Sequence, residues 1–121
     1  MTSKKKILIC DDEEGIRESL KLILENDYDL IFSCSGKECL EKLKREQDIK
    51  LVLLDIKMPK QNGLEATREI KEKYPEIPII IVTGYKSAEI AQEATEAGAD
   101  NYIVKPFESS DIQEKIKKYI K

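Results

Sequence analysis

Histidine is absent from this chain of 121 residues. That removes Ser-His and Cys-His nucleophile pairs, imidazole metal ligands and any role as a histidine phosphocarrier. Cysteine is scarce: Cys10, Cys34 and Cys39 form an odd set without C-x-x-C spacing. This argues against a disulfide framework or a zinc site; free thiols packed as small core residues fit a reducing, cytoplasmic setting. No apolar run approaches the ~18 residues of a membrane span. None follows Lys4, Lys5 and Lys6 as a signal peptide would require, so neither membrane association nor export is expected. Nor is there an excess of positive charge. Lys and Arg number 21 against 24 Asp and Glu, a net charge of −3. A general nucleic-acid binder would be basic, and no direct nucleic-acid partner is expected. The P-loop pattern G-x-x-x-x-G-K-[ST] is missing as well.

What remains is a chain with room for one domain, residues 1–121. It is 40% hydrophobic and 37% charged, with the two interleaved throughout, as a folded domain requires. Five short runs rich in Ile, Val and Leu read as strands: Lys5–Cys10, Tyr28–Ser33, Ile49–Leu54, 77–82 and Asn101–Val104. They lack strict alternation, which is how strands buried on both faces of a parallel sheet read. Helical periodicity fills the gaps. It is carried by Ile16, Leu20, Ile23 and Leu24; by Cys39, Leu40 and Leu43; by Leu64, Thr67, Ile70 and Tyr74; by Ile90, Ala91 and Ala94; and by Ile112, Ile116, Tyr119 and Ile120. Ser35-x-x-Glu38, Asn62-x-x-Glu65 and Ser110-x-x-Gln113 resemble capping boxes, with Gly98 and Pro75 as stops. Pairs such as Glu38/Lys42 would support exposed helix faces. The order (βα)5 predicts an α/β, doubly wound domain on a parallel sheet.

Ligands of such sheets bind beyond the carboxyl ends of the strands. Asp11 and Asp12 follow the first strand, Asp55 the third, Thr83 the fourth and Lys105 the fifth. Taken singly, each is more simply a helix cap, a turn or a surface residue. Taken together, they place three carboxylates, a hydroxyl and an ammonium along one edge. Clustered carboxylates repel, and a hard divalent cation such as Mg²⁺ relieves that with oxygen ligands. Beside lysine and threonine such a site can hold phosphate, and one carboxylate can itself be the nucleophile.

These pieces resemble the receiver domain of two-component response regulators over residues 6–119. The matching motifs are ILICDDE, LVLLDIKMPKQNG around Asp55, PIIIVTG, the spacing Ala94 to Gly98, and GADNYIVKPF. The resemblance implies a flavodoxin-like sheet of order 2-1-3-4-5. It implies Asp55 as the phosphoacceptor, and Mg²⁺ (or Mn²⁺) held by Asp12, Asp55, the Lys57 carbonyl and, mainly through water, Asp11. It makes Lys105 the phosphoryl-binding cation and Thr83 and Tyr102 the switch pair, with a cis Lys105–Pro106 bond. The donor would be a sensor histidine kinase or histidine phosphotransferase. The output would pass to a downstream protein through the fourth helix, fifth strand and fifth helix. Lys57 and Tyr85 would flank the phosphoryl group and influence how fast water removes it; the Lys57 side chain either shields the acyl phosphate or extends into solvent, and a slowly hydrolysing phospho-form is expected. Enzyme turnover of a separate substrate is not expected. The chain fits a stand-alone regulator and a receiver cut from a longer protein equally.

Three rivals are weaker. A haloacid-dehalogenase-type phosphohydrolase would carry an aspartate two residues after the nucleophile, where Lys57 stands. A flavodoxin would need a hydroxyl-rich phosphate loop where Asp11, Asp12, Glu13 and Glu14 repel anions. A receiver fold without chemistry would not need all five site residues.

Overall fold

The computed structural model describes residues 4–57, 62–84 and 87–120. Strands and helices alternate: β1 (Lys5–Cys10), α1 (Glu14–Leu24), β2 (Tyr28–Ser33), α2 (Gly36–Arg45), β3 (Ile49–Leu54), α3 (Gly63–Lys73), β4 (Ile79–Thr83), α4 (Ala88–Ala97), β5 (Asn101–Val104) and α5 (Ser109–Tyr119). The five strands are parallel in the order β2-β1-β3-β4-β5. The chain is therefore a doubly wound, flavodoxin-like α/β fold.

The two-residue side-chain period of the strands divides the apolar residues between the faces. Leu8, Val52, Leu54, Ile79 and Ile81 pack on one side with Cys39 and Leu43 of α2, Ala66 and Ile70 of α3 and Ala94 of α4. Ile7, Ile9, Leu51, Leu53, Ile80 and Val82 pack on the other with Leu20 and Leu24 of α1 and Ile112 and Ile116 of α5. Each fully buried Ile or Leu contributes roughly 1.5–3 kcal/mol relative to exposure. β1, β3 and β4 are therefore the rigid centre on which the site is built.

Local chemistry sets the boundaries. Ser35 Oγ accepts from the Glu38 N–H at 3.2 Å and Asn62 Oδ1 from the Glu65 N–H at 2.9 Å, as capping boxes require. Glu38 turns its carboxylate back to the Cys34 N–H at 3.1 Å. Gly98 ends α4 with φ 107°, a left-handed conformation costly for other residues. Three expectations need correction. Ser110 does not cap α5: the N-cap is Glu108, without a side-chain cap bond, so Ser110 lies inside the first turn. The fourth strand runs from Ile79, because Ile77 is held in a turn by its N–H bond to Tyr74 O at 3.1 Å and Pro78 has no N–H to donate. Cys10 and Cys39 are buried, but Cys34 is exposed at the end of β2. Among the described residues, no helix is long and apolar enough to cross a membrane.

Candidate functional site

At the carboxyl edge of the sheet the main-chain ladder continues one residue past three strands. The Asp11 N–H donates to Ser33 O at 3.1 Å, the Asp55 N–H to Cys10 O at 2.9 Å and the Lys105 N–H to Thr83 O at 2.8 Å. These three residues belong nominally to loops, but the sheet holds their backbones in register. Their side chains consequently converge.

Lys105 Nζ donates to Asp11 Oδ2 at 2.8 Å, to Glu13 Oε1 at 3.1 Å and to Asp55 Oδ2 at 3.2 Å. Carboxylate oxygens of Asp11, Asp12 and Asp55 all lie within 4.8 Å of one another. A cavity of about 450 Å³ opens above them, lined by Asp12, Glu13, Asp55, Lys57, Thr83, Gly84 and Lys105. Asp11 and Asp55 are 2% and 4% exposed and Thr83 is buried, whereas Asp12 stands exposed at the rim. The structure thus gathers Asp11, Asp12, Asp55, Thr83 and Lys105 around one hollow. Tyr102 sits one strand away, pairing with Ile81 and packed partly buried against the α2–α3–α4 side. Lys57 is exposed at the cavity wall, and its N–H donates to Asp55 Oδ1 at 3.3 Å. The Lys105–Pro106 peptide is cis. Tyr85 lies outside the described residues.

Each turn has a local cause. Asp11 Oδ1 accepts from the Glu13 N–H at 2.9 Å, so Asp11 does the work of a turn residue as well as facing the site. Arg17 reaches back from α1 to the Asp11 carbonyl at 2.8 Å. On the far side, α3 begins against the acid loop: the Gly63 N–H donates to Ile56 O at 2.7 Å. A Cβ on Gly63 would meet Asp55 O at 2.2 Å and Ile56 Cα at 2.6 Å, so only glycine allows this approach. Gly63 and Glu13 were not singled out in the sequence. A glycine in the motif that ends at the start of α3 is the visible trace of the first, and the closing acid of ILICDDE that of the second, though neither was read as part of the site.

The electrostatics are unbalanced. Burial pushes the Asp11 carboxyl above its ordinary value, and its bonds to Lys105 and to the Glu13 N–H only partly oppose this. Burial alone would lower the Lys105 ammonium, but hydrogen bonds to Asp11 and Glu13 and the charges of Asp55 and Asp11 outweigh it and raise it. Lys105 is therefore a fixed cation, and one ammonium faces four carboxylates. An all-oxygen set with surplus negative charge fits a hard divalent cation.

A doubly wound fold with an acidic, lysine-bearing pocket at its carboxyl edge defines a phosphate-handling class. Comparison with known proteins makes this particular. Residues 7–117 match the family described as response regulator receiver domain, and the chain belongs to that family. It is 40% identical over 113 residues to the chemotaxis protein CheY of Halobacterium salinarum, covering 93% of each chain. It is 35% identical over 117 residues to the sporulation initiation phosphotransferase F of Bacillus subtilis, covering 96% of this chain and 94% of that one. Among solved structures, a CheY-like receiver domain protein from Methanospirillum hungatei superposes with a TM-score of 0.90 at 40% identity, covering 96% and 93% of the two chains. Other curated relatives are longer, and the chain spans 25% to 51% of their length. The chain is thus a signalling domain of two-component systems, whose receivers act with histidine kinases or phosphotransferases and not as metabolic enzymes. Receivers generally bind Mg²⁺ in such an acidic pocket, and Asp11, Asp12 and Asp55 form a group able to hold it.

Proposed function

We propose that Asp55 is the phosphoacceptor of a phosphorylation-dependent switch. The observation that carries this is the junction of Asp55 Oδ2 with Lys105 Nζ, 3.2 Å apart, at the floor of an open cavity. The donor is a phosphohistidine on another protein, since this chain has no histidine. An Asp55 carboxylate oxygen forms the new O–P bond as the N–P bond of the donor breaks, and the imidazole nitrogen leaves with the electron pair. Such transfer relies on positioning and charge stabilisation more than on proton transfer.

The residues present divide the work. Asp55 is held nearly buried, with its backbone in the sheet ladder, so the nucleophile enters at a fixed angle. Lys105, permanently charged, receives an oxygen of the incoming group. The Thr83 hydroxyl, on the last residue of β4, donates to another. Asp12, Asp55, the Lys57 carbonyl and, mainly through water, Asp11 would hold Mg²⁺ or Mn²⁺. When bound, the ion supplies positive charge against which phosphoryl oxygens are stabilised.

The output follows from packing. Phosphate adds about −1.5 to −2 charge and three strong acceptors. Thr83 moves toward it, and Tyr102 fills the space behind β4. Only Ala94 and Ala97 of α4 are fully buried, so this helix has little apolar area to lose on shifting. The α4–β5–α5 face then presents an altered surface to a downstream protein. Lys57 at the cavity wall shields the acyl phosphate from water.

Incubation with acetyl phosphate and Mg²⁺, read by intact mass, tests the reading. A gain of one PO₃ unit is expected in the wild type and none in Asp55→Asn. An equal gain in both would refute it.

A further inference from the structure

We infer that Glu13 is a built-in competitor of the phosphoryl group for Lys105, and so sets how readily the site is occupied. The inference rests on the role of Asp55 proposed above.

A lysine ammonium has three N–H donors. In the resting site all three are engaged, by Asp11, Glu13 and Asp55. A phosphoryl group on Asp55 needs at least one of them. The three acceptors are not equally replaceable. Asp11 and Asp55 are nearly buried and their backbones are tied into the sheet ladder. The Glu13 side chain is 61% exposed and stands on the cavity rim. Once released, it can be solvated without leaving a buried charge behind. Glu13 is therefore the acceptor that an anionic newcomer displaces.

A second observation agrees. Glu13 is the N-cap of α1, yet its side chain makes no cap bond to the helix. It reaches across to a lysine 92 residues away instead. The pairing closes the resting site as an internal anion would, and among the described residues no buried side-chain N or O lacks a partner. Phosphorylation exchanges one anion for another at the same cation. Glu13 thereby lowers the affinity of the empty site for anions.

Glu13→Gln keeps the shape and removes the charge. Glu13→Asp keeps the charge on a shorter arm that does not reach Lys105. Glu14→Gln removes a neighbouring charge that makes no bond to Lys105. Beryllofluoride binding with Mg²⁺ and the rate of phosphorylation by acetyl phosphate are measured for all three, with melting curves to confirm folding. Glu13→Gln and Glu13→Asp should each bind beryllofluoride about two- to fivefold more tightly than the wild type. Glu14→Gln should change it by less than about 1.5-fold, and the gain in Glu13→Gln should shrink at high salt. Equal effects of Glu13→Gln and Glu14→Gln, or no gain in Glu13→Asp, would overturn the role of the Lys105 contact. A wild type that takes up neither phosphoryl nor beryllofluoride would instead overturn the reading of Asp55.

Discussion

Two lysines stand at opposite ends of the sheet, and they are used differently. Lys71 of α3 pairs with Asp100 at 2.7 Å and donates to Ile77 O at 2.8 Å. Asp100 in turn accepts from the Ile79 N–H at 2.9 Å, and its carbonyl accepts from the Tyr119 hydroxyl at 2.9 Å. Here one cation meets one carboxylate, and the clamp joins α3, β4 and α5 without surplus charge. Lys105 at the carboxyl edge meets three carboxylates, with a fourth, Asp12, nearby. A balanced pair fastens the fold. An over-subscribed cation leaves room for a ligand to settle the account, and that excess marks the functional end.

Substitutions at the two lysines should separate these roles. The largest effect is expected in Lys105→Met. Phosphoryl uptake from acetyl phosphate should fall about 100-fold or more, and added Mg²⁺ should raise the melting temperature of this variant more than that of the wild type. Next in size is Gly63→Ala, where the new Cβ has only backbone to push against. It should cost about 1–3 kcal/mol in urea unfolding and slow phosphorylation by displacing Asp55. Lys71→Met should lower stability by about 1–2 kcal/mol and leave phosphorylation unchanged. A loss of uptake in Lys71→Met would erase the contrast between the two ends. The smallest effect concerns Tyr102. Burial, aided by the Asp55 charge, holds its phenol above the ordinary value. The fold therefore favours the neutral form. The stability this lends is complete below the unfolded-chain value near pH ~10 and is lost as pH rises through the raised one. Ultraviolet titration of Asp55→Asn should show Tyr102 ionising at lower pH than in the wild type.

The (βα)5 alternation and the meeting of Asp11, Asp12, Asp55, Thr83 and Lys105 were legible in the sequence because both follow from periodicity and topology; the strand order came only with the resemblance to receiver domains. Apolar runs of four to six residues name the strands, and a parallel sheet puts every strand end on one side. What escaped was local. Ser87 caps α4, its Oγ accepting from the Ile90 N–H at 3.1 Å. It went unseen because Ile90 stands where a capping box would show Glu or Gln. Ser110-x-x-Gln113 had the pattern, but α5 begins at Ser109 and moves Ser110 inside the helix. Glu13 read as one more repelling acid, since the reach of a long side chain toward a distant lysine leaves no periodic trace. The close approach of α3 to Asp55 is likewise a three-dimensional fact, which the sequence signals only by Gly63.

The ladder bonds at Asp11, Asp55 and Lys105 carry a consequence for diversification. Because the sheet and not the connecting segments fixes the reactive groups, the connections can change length and composition while the chemistry stays put. A chimera that keeps the strands and their first following residues but exchanges the outer helix faces should retain phosphoryl uptake and acquire new partners.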